Sequence, residues 1–179
     1  GSIKINKEER AKMLKTIPRN SIIGFLIGVL PGAGATIASF LAYGMERNLV
    51  SDEEKEKFGK GSVHGLAAPE TANNAACSGA FVPLLTLGIP GSGTTAVMLG
   101  ALLGFGIQPG PRLYVTNPEI FWSVIMSMYI GMVILLILNL PLIPYIARIL
   151  AVPKNYLIPL ILFFSITGIY VMSFNNFDI

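Results

Sequence analysis

Gly88-Ile-Pro-Gly-Ser-Gly-Thr-Thr95 divides an apolar run into two arms, residues 80–87 and 96–105, each too short to cross a bilayer alone. A helix needs about 20 apolar residues to span the hydrocarbon core. Pro90, Gly91 and Gly93 break the helix in the middle of that run. Irregular backbone at membrane depth is tolerated only where protein or a water-filled cavity covers it. Ser92, Thr94 and Thr95 then open the next half-helix with hydroxyls and free N–H groups, a ready site for an anion. A similar stretch, Leu30-Pro-Gly-Ala-Gly-Ala-Thr36, precedes it by about 59 positions, from Pro31 to Pro90. Paired interruptions in corresponding apolar segments point to a transporter binding site.

Composition sets the surroundings. The 179 residues are 53% hydrophobic and only 13% charged, with a mean hydropathy of +0.64. A soluble domain carries about 25% charged residues, so the reading is an integral membrane protein. The net charge of +3 comes from basic residues in a few short stretches, a pattern of membrane topology rather than nucleic-acid binding. Cys77 is the single cysteine, which excludes an internal disulfide and a multi-Cys metal site. The first apolar run follows about 20 polar residues, unlike a signal peptide. Gly1-Ser2 reads as a cloning scar, and the chain reads as a piece of a longer protein.

Working outward toward the N-terminus, residues 6–17 read as a short amphipathic helix with a capping box at Asn6 and Glu9. Met13, Leu14 and Ile17 share its apolar face, as on a membrane-surface helix or a solvated linker. Six Lys/Arg residues precede residue 20 and favour a cytoplasmic side. Residues 20–46 form the first interrupted element, either one broken crossing or a re-entrant hairpin. Ser51 with Glu54 is a second capping box, opening a short helix that Gly59 ends. In residues 61–79, Pro69 suits a helix's first turn, Glu70, Asn73 and Asn74 share a face at i, i+3, i+4, and Ala72, Ala75, Ala76 and Gly79 allow close helix approach.

Toward the C-terminus, Asn117 caps a helix with Pro118 at its first position. Residues 118–139 read as an ordinary span that Pro141 and Pro144 bend or end, and residues 156–172 as a last span with Pro159 inside. The fold class expected is an all-α integral membrane protein, a helical bundle with two Pro/Gly-interrupted helices and no sheet. Its parts are an interfacial segment 1–19, a core 20–112 holding both breaks, and ordinary membrane helices over 113–179.

These residues resemble the TctA-like large membrane subunit of tripartite tricarboxylate transporters. The resemblance is carried by Leu30-Pro-Gly-Ala-Gly-Ala-Thr36, by Ala68-Pro-Glu-Thr-Ala-Asn-Asn-Ala75, and by Pro83-Leu-Leu-Thr-Leu-Gly-Ile-Pro-Gly-Ser-Gly-Thr-Thr95. Leu99-Gly-Ala-Leu102 and Gln108-Pro-Gly-Pro111 extend it, and Phe174-Asn-Asn176 with Asp178 also fit. The resemblance implies a secondary carrier for tri- or dicarboxylates in the bacterial inner membrane. It implies a periplasmic substrate-binding protein and a small transmembrane subunit as partners. Uptake would be driven by a gradient of Na⁺ or H⁺, with no other cofactor. It also implies about twelve spans, of which this chain looks like the second half.

On that reading Pro31, Gly32, Gly34, Thr36, Pro90, Gly91, Ser92, Gly93, Thr94 and Thr95 bind the carboxylate, because helix N-termini attract anions without a clinging cation. The alternative is that the breaks merely kink packed helices. Glu70 is the only acid between residues 61 and 111. An acid at bilayer depth costs about 2.5–3.5 kcal/mol, so it is assigned, with Asn73 and Asn74, to the coupling ion; the alternative is a helix cap near water. His64 is a candidate proton partner or a satisfied polar neighbour, and Cys77 a small packing residue. The loop 91–95 lacks the lysine of a Walker A motif, and Ile37 replaces the third glycine of a dinucleotide fingerprint. A channel, a structural subunit, or an intramembrane hydrolase using Ser78 or Ser92 with His64 are the competing classes.

Overall fold

A computed structural model of the chain describes residues 5–148 and 153–173. It is helical, with no strand among the described residues. The elements are α1 (Lys7–Val29), α2 (Gly34–Leu49), α3 (Asp52–Lys55), α4 (Val63–Gly79), α5 (Phe81–Leu87), α6 (Gly93–Gly104), α7 (Leu113–Thr116), α8 (Pro118–Ala147) and α9 (Lys154–Ser173). The described residues up to Ser123 form one compact unit and those from Val124 a second.

The first unit is built on α1, α2 and α4. The capping box at its start is present: Asn6 Oδ1 accepts from Glu9 N at 2.7 Å and Asn6 N donates to Glu9 Oε2 at 2.9 Å. The helix does not stop near residue 17, however. It runs through Pro18 to Val29, so the expected interfacial segment and first apolar arm are one element. Its inward face is not the apolar face of Met13, Leu14 and Ile17. Thr16, Asn20, Gly24 and Gly28 are buried, whereas Leu14 is 69% exposed. Small and polar residues at four-residue spacing let backbones meet, and in a bilayer the apolar side chains can face lipid.

The same spacing recurs on the partners. Ala38, Ala42 and Glu46 are buried on α2, and Ala68, Ala72, Ala76 and Gly79 on α4. Gly24 lies against Ala72 and Gly28 against Ala76, so α1 and α4 run in the same direction. Asn20 and Thr16 meet Glu46, while Ser39 meets Asn73; α2 is therefore antiparallel to both. The first break is a turn between antiparallel helices, at which the chain folds back. Gly32 (φ +87°) and Gly34 (φ +71°) make that turn in the left-handed region, where a side chain would be strained.

Helix α4 starts six residues before Pro69, because Ser62 caps it by accepting from Gly65 N at 3.0 Å. Pro69 is thus an interior proline and not a first-turn one. Cys77, expected to pack, is exposed. In the loop before α4, Ser51 Oγ accepts from Glu54 N, which is half of the expected capping box, and α3 ends at Lys55, ahead of Gly59 with its positive φ. Lys57 Nζ and Lys12 Nζ then reach Glu54 Oε1 at 2.6 and 3.1 Å, pinning the loop to α1.

The second unit is the C-terminal part of α8 together with α9. These are the two described helices long and apolar enough to cross a membrane. Pro118 opens α8 as expected, with Asn117 O accepting from Phe121 N at 3.1 Å. Pro141 and Pro144 lie inside α8 and do not end it, and Pro159 lies inside α9. The expected features at Gly1-Ser2, Phe174-Asn-Asn176 and Asp178 lie outside the described residues.

Candidate functional site

The two breaks meet. Gly91 is buried, and a Cβ built on it would stand 3.9 Å from Pro31 Cα and 3.8 Å from Ala80 Cβ. The second break begins at Gly88, whose φ of +68° ends α5. Its N–H and that of Ile89 bond to Leu84 O and Pro83 O. Gly88 also approaches Pro109 O so closely that a Cβ would lie at 2.9 Å, and Gly110 N donates to Leu85 O at 3.2 Å. The Gln108-Pro-Gly-Pro111 loop thereby holds the end of α5 in place.

Each expected carboxylate residue has a definite position. Ser92 and Thr95 form a capping box: Ser92 N donates to Thr95 Oγ1 at 2.9 Å and Thr95 N to Ser92 Oγ at 3.2 Å. Thr95 is 3% exposed, so its hydroxyl serves the cap and does not face a guest. Gly93 and Thr94 are exposed, and their N–H groups take no partner among the described residues. At the first break no side chain caps α2. Pro31, Gly32 and Thr36 are exposed, while Gly34 and Pro90 are half-buried. Unpartnered first-turn N–H groups of α2 and α6 thus lie within a few residues of the point where Gly91 approaches Pro31.

The expected trio on α4 is divided. Asn73 Nδ2 turns to α2 and donates to Ser39 Oγ at 3.3 Å. Glu70 and Asn74 line the other side, an open groove of about 540 Å³ that also includes Glu9, Met13 and Ile17 of α1. Glu70 is exposed, so it is not the buried acid that its sequence context suggested. Asn74 Nδ2 bonds to Glu70 O within the helix, at 3.0 Å.

The buried acid is Glu46, which sequence reasoning missed. It has no exposed surface and lies among three helices. Arg19 grips it with two donors, Nη2 to Oε1 at 2.7 Å and Nε to Oε2 at 3.2 Å. Thr16 Oγ1 donates to Oε1 at 2.8 Å and Asn20 Nδ2 to Oε2 at 3.0 Å. His64 Nδ1 lies 3.1 Å from Oε1 and 2.7 Å from Thr16 Oγ1. The signal was present in the four-residue spacings Thr16–Asn20–Gly24–Gly28 and Ala38–Ala42–Glu46, which mark inward faces without using hydrophobicity.

His64 is thus engaged with Glu46 and not with a serine. Ser78 Oγ bonds to Asn74 O and Ser92 Oγ to Thr95. The nucleophile–base pair required of an intramembrane hydrolase is not formed by these residues. Among the described residues no group of three His, Cys, Asp or Glu side chains is placed to hold a metal ion.

The first unit packs on small-residue stripes and the second consists of long apolar helices, the features of a helical membrane protein. The comparisons give the family. Residues 1–179 match the family described as "Tripartite tricarboxylate transporter TctA family". This chain belongs to that family. It is 43% identical over 98% of its length to an uncharacterized 52.8 kDa protein in the TAR-I ttuC' 3' region of Agrobacterium vitis, covering 34% of that protein. It is 46% identical over 87% of its length to an uncharacterized protein in the TAR-II ttuC' 3' region of the same organism, covering 64% of it. The chain therefore spans about a third and just under two thirds of these curated relatives. No solved structure matches it.

Proposed function

We propose that this chain is part of a secondary carrier for di- or tricarboxylates, a multi-pass protein of the bacterial inner membrane. It works with a periplasmic binding protein and a small transmembrane subunit, and an ion gradient drives uptake. The observation that supports the reading is the approach of Gly91 to Pro31, two residues before the start of α6 and three before that of α2. Each terminus contributes the equivalent of roughly half a positive charge, enough together to hold a carboxylate without a lysine or arginine.

Gly93, Thr94, Gly34 and Thr36 supply the donors facing the guest. Pro31, Gly32, Pro90 and Gly91 shape the breaks, and Ser92 and Thr95 fix the start of α6. The coupling ion, Na⁺ or H⁺, is assigned to α4, with Glu70 and Asn74 on the groove side and Asn73 on the side of α2. The test is counterflow of a labelled di- or tricarboxylate in proteoliposomes holding the full-length protein and its partner subunits. Exchange of external label against internal unlabelled substrate is expected. Simple equilibration without overshoot would mean a channel and overturn the carrier reading.

A further inference from the structure

The buried cluster around Glu46 is open to its surroundings at one point. A cavity of about 390 Å³ lies between α1 and the α2–α3 turn, and both Arg19 and His64 line it. Both also bond to Glu46, whose side chain is fully enclosed. The imidazole is the only group of the cluster that can change its charge while keeping every contact drawn above.

One tautomer satisfies all of these contacts together. Thr16 Oγ1 donates to Glu46 Oε1, and a carboxylate oxygen only accepts. Nδ1 sits within reach of both oxygens, so it must carry a hydrogen or face two lone pairs. Nε2 is left as the basic atom, with no protein partner among the described residues. An added proton goes to Nε2, the Nδ1–H bonds persist, and the cluster passes from neutral (Arg19 against Glu46) to singly positive.

Asn20 leaves one buried acceptor of the cluster open. Its Nδ2 is committed to Thr16 O and Glu46 Oε2, so the amide cannot turn over. Its Oδ1 is buried with no donor, an arrangement that calls for a water or another proton-bearing species. The other charged groups around the cavity are Lys12, Lys15 and Glu8 from α1 and Glu54 from α3. Glu54 is occupied by Lys57 and Lys12, and Glu8 by Lys12.

We propose that His64, held by Thr16 and Glu46, is the proton-loading residue that couples this carrier to a pH gradient, and that the Arg19-lined cavity is its path to water. The same three helices carry the cluster at one end and the break at the other: α1 leads to Pro31, α2 starts at Gly34, and α4 leads to Ala80, which touches Gly91. A charge gained at His64 is thus carried on the elements that form the carboxylate region. The inference rests on the carrier reading, selects H⁺ over Na⁺, and adds His64 to the residues of α4 assigned to coupling.

The test uses full-length wild-type protein and His64→Gln with the partner subunits in proteoliposomes, measuring both counterflow and accumulation under an imposed pH gradient. Glutamine keeps a donor toward Thr16 and Glu46 but takes up no proton. With one proton per substrate, a gradient of one pH unit is worth about tenfold accumulation. Wild type should show it, and His64→Gln should keep counterflow and lose accumulation. Unchanged accumulation in the variant, loss of both activities, or wild-type accumulation driven by Na⁺ alone would each overturn the assignment while leaving the carrier reading intact. Absence of counterflow in wild type would overturn both.

Discussion

Gly91 lies against Pro31: the glycine of one helix break faces the proline of the other, with 3.9 Å between Pro31 Cα and the position of a Cβ on Gly91. That spacing is ordinary van der Waals contact, so one methyl group fits and a larger side chain does not. Gly91→Ala should retain substrate binding by the full-length protein. Gly91→Leu should abolish it, by forcing α6 away from the α1–α2 turn. Equilibrium binding of labelled carboxylate to purified protein checks this, with circular dichroism confirming that both variants stay helical.

The α1–α4 seam has no such room. A Cβ on Gly24 would lie 2.6 Å from Ala72 Cα, and one on Gly28 would lie 2.7 Å from Ala76 C. Backbone cannot step aside as a side-chain tip can. Gly24→Ala and Gly28→Ala should each destabilise by about 1–3 kcal/mol. Gly100→Ala in α6 meets nothing within 4 Å and should be neutral or slightly stabilising, since alanine is the better helix former. Thermal unfolding in detergent of the three variants side by side makes the comparison.

Glu46 collects donors from Thr16, Arg19, Asn20 and His64. Glu46→Ala leaves all four without their acceptor. Breaking a buried pair by removing one partner costs about 3–5 kcal/mol, and the lower end applies because Arg19 is 38% exposed and can turn toward the cavity. The loss should appear as faster hydrogen exchange along α2 and the N-terminal half of α4.

The loop clamp at Glu54 carries a pH dependence. Hydrogen bonds from Lys57 and then from Lys12 hold its carboxyl below the ordinary value of 4.5. A lowered carboxyl contributes stability above its unfolded value and loses it as pH falls through the folded one. Hydrogen exchange in α3 should therefore stay slow at neutral pH and accelerate only below about 4.5. Glu54→Gln should be fast at every pH; a pH-independent wild type would contradict the clamp.

Glu70 is exposed on α4 beside Asn74, within the groove shared with α1. If it contacts the coupling ion, Glu70→Gln should abolish gradient-driven uptake while sparing counterflow and thermal stability. Wild-type uptake by this variant would remove Glu70 from coupling.

What could be read from the chain alone was what depends on local chemistry. Pro31, Pro90 and the glycines beside them announce breaks wherever they sit, and Asn6–Glu9 and Asn117–Pro118 announce helix starts. The runs in α8 and α9 are long enough to declare themselves. The inward face of α1 was not legible, because hydrophobicity marks Met13, Leu14 and Ile17 whereas Thr16, Asn20, Gly24 and Gly28 are inside. Pro69 was read as a helix start because the Ser62 cap before it is less conspicuous. The spacing Ala38–Ala42–Glu46 marks a face, but the partners of Glu46 could not be assembled from it, because its five-residue cluster draws on three helices and separations of up to 48 positions. Glu70 looked buried because its neighbours are uncharged, yet exposure is set by which face of α4 meets α1 and α2.

The central claim is that the joined breaks hold the carboxylate, and Thr94, exposed in the first turn of α6, is where to test it. The measurement is the rate at which a maleimide alkylates Thr94→Cys in an otherwise cysteine-free full-length protein, with and without saturating di- or tricarboxylate. The account predicts that the substrate slows labelling there and at Thr36→Cys, and leaves Leu66→Cys, on α4, unaffected. Equal rates at Thr94→Cys with and without substrate would contradict it.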